Sequence, residues 1–146
     1  MKCPFCGYAE TQVIDSRITN RGFVVRRRRY CPKCNRRFTT YERIESIVKV
    51  VKRDGRKEDF SREKLIRGIL NACNKTSISR EDVERIADDV ELVCRAKGEV
   101  KSKEIGELVM KKLRRLDKVA YVRFASVYKK FKAIEDFEKE IEKLSK

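Results

Sequence analysis

The sequence predicts an α+β chain in two parts, a small three-stranded antiparallel sheet followed by a β-hairpin packed on a helical bundle. Two C-x-x-C pairs, at 3–6 and 31–34, enclose segments whose composition is typical of strands. A short apolar segment then leads into Asp54-Gly55, which is a strong hairpin signal. From Ser61 onward, apolar residues recur at helical spacing. These observations place the strands first and the helices after them.

The two C-x-x-C pairs supply four thiolates, the complete ligand set of a tetrahedral zinc ion. Because no coordination position remains for a substrate, a structural zinc is predicted. Gly7 and Asn35 follow the two pairs, and both residue types tolerate the positive φ that a metal-binding turn requires. Two disulfides or a thioredoxin-like redox pair are the alternatives, but nothing else in the chain resembles a secreted protein and neither pair opens a βαβ unit. The predicted zinc ligands are Cys3, Cys6, Cys31 and Cys34.

Three strands are predicted around these pairs, over residues 11–17, 22–30 and 36–42, with a turn at 20–22. Three strands with a metal at one end form a zinc ribbon, here assigned to residues 1–46. A ribbon of this size has too few apolar residues for a self-sufficient core. The metal is therefore expected to supply the folding free energy, on the order of 10 kcal/mol or more.

The chain is strongly basic, and its charge is uneven. Its 146 residues carry a formal net charge of +15 at pH 7, and residues 1–46 hold eleven Lys/Arg against four Asp/Glu. This excess indicates a polyanionic partner, with nucleic acid as the first candidate. A membrane partner is not expected, because no apolar run can span a bilayer and no basic amphipathic segment is free. The first cysteine follows Met1-Lys2 at once, so we expect no signal peptide and a reducing, cytoplasmic location.

A run of four arginines, Arg26 to Arg29, lies on the second predicted strand. Because side chains alternate between the faces of a strand, Arg26 and Arg28 share one face and the other two share the opposite face. No core accepts four arginines, so this surface is expected to be exposed, and arginine suits bidentate contacts to phosphates or guanine edges. The alternative is a solvated strand that only keeps the chain soluble. Nucleic-acid contact is favoured, but these residues alone do not separate DNA from RNA.

The second part begins with a hairpin whose strands are predicted at 47–53 and 56–60. Five helices follow. Ser61 is the expected N-cap of the first, and Ser79 with Asp82 forms a capping box for the second. The predicted helices cover about 61–74, 79–97, 102–116, 117–131 and 135–144. These elements predict a β-hairpin packed on a helical bundle.

Three cations lie close to this hairpin, Lys52 and Arg53 before the turn and Lys64 in the first turn of the next helix. Together with the partial positive charge of a helix N-terminus, they could clamp a phosphate chain. Lys64 is unusual because first turns favour acidic residues, and a bound anion would explain it. The pattern alone is weak, and a solvated charged hairpin is an equal alternative.

No catalytic arrangement is predicted. The chain has no histidine, and its serines and aspartates lie mostly at predicted caps, so the sequence indicates no nucleophile–base pair. Glutamate and lysine are abundant, but nothing singles out a catalytic pair among them. The two remaining cysteines, Cys73 and Cys94, lie on apolar helical faces and are interpreted as buried small hydrophobic residues. The chain is therefore predicted not to be an enzyme.

The order and spacing of these motifs resemble the NrdR family of bacterial repressors of ribonucleotide reductase genes, over Met1 to about Leu144. The resemblance rests on C-P-F-C at 3–6, D-S-R at 15–17, R-R-R-R at 26–29, C-P-x-C at 31–34, R-R-F-T-T-Y-E at 36–42, V-V-K-R-D-G at 50–55, F-S-R-E-K at 60–64 and V-A-Y-V-R-F-A-S-V-Y at 119–128. The family pairs a zinc ribbon with an ATP-cone, a nucleotide-binding module also found in ribonucleotide reductases. The chain departs from the family pattern at Asn35, where Gly is more usual.

The resemblance implies a negative regulator of ribonucleotide reductase operons, whose ribbon binds paired boxes in double-stranded promoter DNA. An ATP-cone over residues 47–146 is implied to bind ATP and dATP, and the nucleotide bound is implied to set the homo-oligomeric state and hence the affinity for DNA. A cytoplasmic, nucleoid-associated location follows. The implied nucleotide contacts are Val50, Lys52, Arg53, Glu58 and Lys64. The arginines expected to contact DNA are Arg17, Arg26, Arg28, Arg36 and Arg37.

Two other functions stay open at this point. One is an RNA-binding zinc ribbon on a helical scaffold that only packs, and tight nucleotide binding by residues 47–146 would count against it. The other is a detached regulatory subunit that binds a reductase directly. A steep salt dependence of binding to promoter DNA would count against that second alternative.

Overall fold

The first part of the chain is a three-stranded antiparallel sheet, and strands and helices follow it. The computed structural model describes residues 1–45 and 48–145, with one unit at Met1–Glu45 and another formed by the rest. The predicted α+β fold class is confirmed. The predicted domain boundary between residues 46 and 47, and the predicted start of a strand at 47, lie outside the described residues.

The sheet of the first unit is built from β1 (Gln12–Thr19), β2 (Val24–Tyr30) and β3 (Arg37–Arg43), in that order. Each strand begins one or two residues after its predicted start. The predicted turn between β1 and β2 is present, and Asn20, Arg21 and Gly22 all have positive φ (50°, 53° and 98°). Glycine and asparagine adopt this region at low cost, which explains their place here.

The register of β1 and β2 decides which side chains share a face. Arg17 lies opposite Arg26, and Asp15 lies opposite Arg28, with a bulge between Val13 and Asp15. Because residues directly opposite each other in a sheet project from the same face, these side chains form one row. The outer edge of β1 pairs with no strand among the described residues.

Few side chains of the first unit are buried. Within residues 1–45 only Cys3, Val24 and Cys31 are buried, and two of these three are thiols of the C-x-x-C pairs. An apolar core is therefore almost absent, in agreement with the expectation that a metal supplies the folding free energy.

The second unit contains a small sheet that the sequence predicts only in part. The hairpin of β4 (Lys49–Val51) and β5 (Lys57–Asp59) is joined by β6 (Glu99–Lys101), which pairs in parallel with β4. Gly98, with φ of +71°, ends the preceding helix and leads directly into β6. β6 was not predicted, because three residues with one apolar side chain, Val100, carry no strand periodicity.

Five helices complete the second unit: α1 (Arg62–Cys73), α2 (Arg80–Lys97), α3 (Ser102–Leu116), α4 (Lys118–Tyr128) and α5 (Ile134–Ser145). Ser61 caps α1, and Ser79 caps α2 through a capping box with Asp82, as predicted. α4 ends three residues before its predicted end, and the chain reverses at Lys130, whose φ is +56°. Within residues 1–45 and 48–145, no helix combines the length and apolar character needed to cross a bilayer.

The core of the second unit lies between the sheet and the helices. Val50 and Val100 cover it from the strands, and α1 to α4 contribute buried apolar side chains to the same cluster. Cys73 and Cys94 are buried in this cluster, as predicted. Burial raises the pKa of both thiols, that of Cys94 to about 11, so both behave as small apolar residues.

A buried carboxylate in the last helix, α5, forms hydrogen bonds to α4 and to the residue that follows it. The side chain of Glu140 is 3% exposed and accepts hydrogen bonds from the Tyr121 hydroxyl (2.5 Å) and the Lys129 ammonium (2.7 Å). The Lys143 ammonium lies 3.2 Å from its other oxygen. Burial alone would raise the pKa of Glu140, but these three donors outweigh it and lower the pKa to about 2. The charged carboxylate therefore stabilises the packing of α5 on α4.

Candidate functional site

The four thiols of the C-x-x-C pairs form one compact cluster, with all sulfurs within 4.8 Å of one another. The Sγ atoms of Cys3 and Cys34 are 3.6 Å apart, and those of Cys6 and Cys31 are 3.7 Å apart. A tetrahedral zinc–thiolate centre with Zn–S bonds of about 2.3 Å requires S···S separations of about 3.8 Å. A disulfide requires about 2.0 Å, and all four thiols are free. The donor set and its spacing therefore fit a zinc ion and do not fit two disulfides.

Both C-x-x-C pairs have the same backbone geometry, which holds the sulfurs in place. The N–H of Gly7 donates to the carbonyl of Cys3 (3.0 Å), and the N–H of Asn35 donates to the carbonyl of Cys31 (2.9 Å). Gly7 and Asn35 have φ of +71° and +57°, as the sequence predicts for the residue after each pair. Asn35 thus adopts the positive φ that Gly usually supplies after the second C-x-x-C pair.

The thiols of the cluster do not ionise equally. Burial opposes ionisation of Cys3, but the backbone N–H groups of Phe5 and Cys6 stabilise its thiolate and its pKa falls to about 7. The N–H of Arg36 favours the Cys34 thiolate, yet burial and the three neighbouring sulfurs raise the pKa of Cys34 to about 12. Charge on one sulfur thus opposes charge on the next. A bound divalent cation removes this opposition, because a coordinating thiol is deprotonated outright.

The predicted DNA-contacting arginines lie mostly on one face of the ribbon sheet. Arg17, Arg26 and Arg28 share a face, and Arg37 projects from the same face of β3. In the described part of the chain, the side chains of Arg26 and Arg28 have no hydrogen-bond or ion-pair partner, and that of Arg17 pairs only with the half-buried Asp15 (3.1 Å). This face offers guanidinium groups that are free to contact an anion.

The opposite face of the ribbon holds arginines that are already engaged. Arg27 forms an ion pair with Glu42 (3.1 Å), and Arg29 donates to the hydroxyl of Thr40 (3.2 Å). Arg36 lies directly before β3, and its guanidinium lies 5.0 Å from the ring centroid of Phe5. The Phe5 ring packs edge-on against Phe38, which is opposite Arg29 in the sheet, so Arg36 lies on this side of the ribbon. The structure therefore separates Arg36 from the other four predicted arginines.

A cavity of about 710 Å³ opens between the β4–β5 hairpin and helices α1, α3 and α4. All five residues that the resemblance implies for the nucleotide line it: Val50, Lys52, Arg53, Glu58 and Lys64. Its size lies within the range of about 300–1,000 Å³ that is usual for small-molecule sites. Apolar walls come from Leu65, Ile105 and Phe124. The cavity thus combines cations suited to phosphates with apolar surface suited to a ring.

One carboxylate lies between two of the cations of the cavity. Glu58 Oε1 is 3.0 Å from Lys52 Nζ and 3.6 Å from Lys64 Nζ. The hydrogen bond from Lys52 is the main cause that lowers the pKa of Glu58; burial opposes it and the charges of both lysines assist it. Because both ammonium groups approach the same oxygen, they are held close enough for one phosphate group to bridge them.

Tyr128 lines the cavity and contacts both the hairpin and α3. Its carbonyl accepts from Arg53 Nη2 (2.9 Å), and its hydroxyl donates to the carbonyl of Lys103 (2.6 Å). Its ring stacks on Phe124, with centroids 6.0 Å apart, and burial raises the pKa of the phenol. A Cβ atom added at Gly106 of α3 would lie 2.1 Å from a carbon of this ring. Only glycine therefore lets the ring pack against α3 at this distance.

Sequence reasoning did not assign Gly106, Phe124 or Tyr128 to the cavity. Helical spacing indicates only an apolar face for the two aromatic residues, which is equally the mark of core packing. Both lie in the V-A-Y-V-R-F-A-S-V-Y segment that contributes to the resemblance. An isolated glycine inside a helix, such as Gly106, is the second signal that could have pointed to a close contact.

Comparisons with known proteins match both units. Residues 1–42 match the model of the "Transcriptional repressor NrdR-like, N-terminal domain", and residues 48–134 match the model of the "ATP cone domain". Proteins named transcriptional repressor NrdR are similar over the full chain: 54% identical in Acetivibrio thermocellus (99% of this chain and 97% of the relative) and 55% in Sorangium cellulosum (100% and 97%). The relative from Thermosipho melanesiensis is 52% identical (100% and 99%).

These relatives are named as repressors, which confirms the prediction that the chain is not an enzyme. They also confirm the resemblance that the motifs indicated, along the whole length of the chain. The clustered thiols agree with the zinc ribbon, and the cavity lies in the unit that matches the ATP cone. The chain belongs to the NrdR family of transcriptional repressors, with an N-terminal zinc ribbon and an ATP cone.

Proposed function

We propose that this chain represses ribonucleotide reductase operons by binding promoter DNA through its ribbon, under the control of ATP or dATP in the cavity of the second unit. One observation carries the proposal. The five residues implied to contact nucleotide line a single cavity, and that cavity lies in a different unit from the basic ribbon face. Ligand sensing and DNA binding are thereby assigned to separate parts of one chain.

Zinc has a structural role in this proposal. The ion is held by four thiolates and keeps no open position, so it supplies folding free energy and no Lewis-acid chemistry. The ligands are Cys3, Cys6, Cys31 and Cys34. Holding both C-x-x-C turns to one ion also fixes the start of the chain against the segment that enters β3. The ribbon sheet is then rigid enough to present its arginines in a constant order.

The face that carries Arg17, Arg26, Arg28 and Arg37 is the proposed DNA surface. Arg26 and Arg28 support this choice because they are free of partners in the described part of the chain, so no ion pair must break before they bind a phosphate or a guanine. Arg36 is retained as a phosphate contact at the end of the ribbon. Binding through several arginines predicts a steep decrease of affinity with salt, since each neutralised phosphate releases counterions.

In the cavity, Lys52, Arg53 and Lys64 are assigned to the phosphates, and Val50 to the sugar or ring. Glu58 holds the two lysines together and exchanges its contacts for those of a phosphate group when nucleotide binds. The apolar walls around Phe124 then cover the base. ATP and dATP carry the same phosphates, so discrimination between them must come from contacts to the sugar, where they differ by one hydroxyl group.

The coupling to DNA is proposed to be a shift between assemblies. A nucleotide changes the oligomeric state only as far as it binds one state more tightly than another. We propose that homo-oligomers form through the second unit, and that only some of them present ribbons at the separation of two boxes. The protein then acts in the cytoplasm at the nucleoid, where dATP in excess would limit further synthesis of deoxynucleotides.

The test is binding of the zinc-loaded full chain to a promoter fragment from a ribonucleotide reductase operon. Scrambled DNA of the same length and a single-stranded RNA are the competitors, each without nucleotide, with ATP and with dATP. Selective promoter binding that changes with the nucleotide is expected. Equal binding to all three nucleic acids would favour the RNA-binding alternative, and binding without salt dependence would favour a reductase partner.

A matched pair of lysine variants tests the cavity. Lys64→Ala should lower the affinity for both nucleotides at least tenfold, since a charge-assisted contact to phosphate is lost. Lys57→Ala is the control, because Lys57 lies on the same hairpin, forms an exposed ion pair with Glu99 (2.7 Å) and does not line the cavity. Unchanged affinity in Lys64→Ala, with zinc content intact, would remove that residue from the site.

A further inference from the structure

The outer edge of β1 is an interaction surface. β2 occupies the centre of the ribbon sheet, and among the described residues no strand covers the other edge of β1. The strand is eight residues long, and the side chains of Ile14 and Ile18 are 48% and 74% exposed. A long edge strand with exposed apolar side chains is a template for pairing with another chain. The sequence of β1 indicates which chain it accepts.

β1 is complementary to a second copy of itself. In a symmetric antiparallel pair of identical strands, the two-fold axis sets one residue opposite its own copy. With Ser16 on the axis, Asp15 faces Arg17 of the second copy, and Ile14 faces Ile18 of the second copy. Asp15 and Arg17 already lie 3.1 Å apart within one chain, and their side chains are 37% and 72% exposed, so both charges can be reached by a second strand. Opposite charges and apolar pairs across strands stabilise a sheet.

The neighbouring registers are unfavourable. If the axis moves one residue toward the N-terminus, Asp15 faces Asp15 of the second copy. If it moves one residue the other way, Arg17 faces Arg17 of the second copy. Like charges directly opposite destabilise a strand pair. Ser16 also lies near the middle of Gln12–Thr19, so its register leaves almost the whole strand paired.

We propose that two copies of the ribbon pair edge to edge through β1, centred on Ser16, and form a six-stranded antiparallel sheet. The axis is perpendicular to the sheet, so equivalent side chains of both copies lie on the same face. Arg26 and Arg28 of the two copies then form one continuous basic face. The two β2 strands are separated by three inter-strand spacings, about 14 Å. The inference goes beyond the proposed function, since pairing requires neither nucleotide nor DNA.

The pairing is weak on its own and depends on local concentration. Eight residues on each side are far fewer than the 20–30 or so of a standard stable interface. The bulge at Val13–Asp15 interrupts the regular ladder and weakens pairing at that end of the strand, and the charges of the edge disfavour pairing with unrelated strands. Contacts elsewhere in the chain that bring two ribbons together raise their effective concentration and complete the six-stranded sheet.

A disulfide at position 16 tests the register in the zinc-loaded full chain. Residues directly opposite in an antiparallel pair have Cα atoms about 4.5–5.5 Å apart, which is within disulfide range. Ser16→Cys should therefore form a disulfide-linked dimer under oxidised glutathione, at least tenfold more than Thr19→Cys. Thr19 is exposed on the same strand, but the register separates it from its own copy by about 20 Å. The unmodified chain reports any reaction of the native thiols, and zinc content is measured in every sample.

Charge variants in the Ser16→Cys background separate the proposed register from general repulsion. Arg17→Asp lowers the net positive charge of each copy, so simple repulsion predicts more cross-linking. The register predicts about tenfold less, because the new aspartate of each copy then faces Asp15 of the other, which sets one like-charge pair on each side of the axis. Combining Arg17→Asp with Asp15→Arg restores opposite charges across the axis and the ion pair within each chain. Cross-linking should return to the level of Ser16→Cys alone.

The outcomes are distinct from those of the promoter assay. Cross-linking at position 16 no stronger than at position 19, or cross-linking that increases in Arg17→Asp, would overturn the pairing. Neither result would affect the assignment of zinc, nucleotide or promoter binding, since no DNA or nucleotide is present. Loss at Arg17→Asp followed by recovery in the double charge swap would establish both the partner and the register.

Discussion

Replacing Gly106 with alanine should destabilise the second unit and disturb the wall of the nucleotide cavity. A Cβ atom at this position would lie 2.1, 2.3 and 2.6 Å from three ring carbons of Tyr128, below the 3.0 Å that real contacts respect. The ring has to move. Its hydroxyl donates to the carbonyl of Lys103 and its face stacks on Phe124, so movement loses both contacts.

The expected magnitude follows from opposing contributions. Alanine is favoured over glycine inside a helix by about 1 kcal/mol. Overpacking costs about 1–3 kcal/mol, the lost hydrogen bond about 1 kcal/mol, and the lost aromatic contact about 0.5–1.5 kcal/mol. These costs overlap, because a ring that moves relieves the clash while it loses its contacts. We expect a net loss of about 1–3 kcal/mol in the free energy of unfolding, with a weaker affinity for ATP because Tyr128 also holds Arg53 through its carbonyl.

The assay is urea unfolding followed by helical circular dichroism, which reports the second unit because all five α-helices lie in it. Gly68→Ala is the matched control. Gly68 also lies inside a helix, α1, but an added Cβ meets nothing within 4 Å. This control should gain about 0.5–1 kcal/mol from helix propensity. Equal stabilisation by both substitutions would refute the reasoning, since it would show that the Tyr128 ring does not pack against position 106.

Three further predictions concern zinc, pH and salt. Cys31→Ser should lose zinc and promoter binding while the helical unfolding transition stays unchanged, and retained promoter binding would contradict the ribbon assignment. Glu140 has a pKa of about 2 against an ordinary 4.5, so its contribution of about 3 kcal/mol is complete above pH 4.5 and is lost as the pH falls through 2. Glu140→Gln should remove that pH dependence, and an acid-unfolding profile equal to that of the unmodified chain would count against it. Arg28→Ala should reduce the salt dependence of promoter binding by about one phosphate contact. Arg27→Ala should reduce it less, because Arg27 is already paired with Glu42. A larger effect of Arg27→Ala would assign DNA binding to the opposite face of the ribbon sheet.

Local signals account for most of what the sequence predicts correctly. The C-x-x-C pairs, the Asn20–Gly22 turn and the capping box of Ser79 with Asp82 each depend on residues a few positions apart, so their geometry can be read from spacing. The thiol cluster differs because its two C-x-x-C pairs are far apart in the sequence. Their approach could still be predicted, because tetrahedral zinc requires four ligands and each pair supplies two. The coordination number of zinc therefore predicts a contact between distant segments that periodicity alone does not.

The features that the sequence did not predict depend on contacts between distant segments. β6 is a strand only because Glu99–Lys101 meets β4, and its own composition gives no sign of it. The wall formed by Tyr128 requires the close approach of α4 to Gly106 of α3. Likewise, Arg36 contacts the ring of Phe5, a residue distant in sequence, and this contact lies on the side of the sheet opposite the other four arginines. Tertiary packing determines the conformation and contacts of these residues, and the periodicity of the sequence does not reveal them.

The near absence of a core in the ribbon links this protein to the zinc supply of the cell. Two of its three buried side chains are thiols of the metal cluster, so folding of the ribbon and binding of the ion are one equilibrium. The second unit has an apolar core of its own, and the four clustered thiols lie outside it. In a cell short of zinc, the chain would continue to bind nucleotide but would have no folded ribbon with which to bind a promoter. Metal starvation would then relieve repression at any ratio of dATP to ATP.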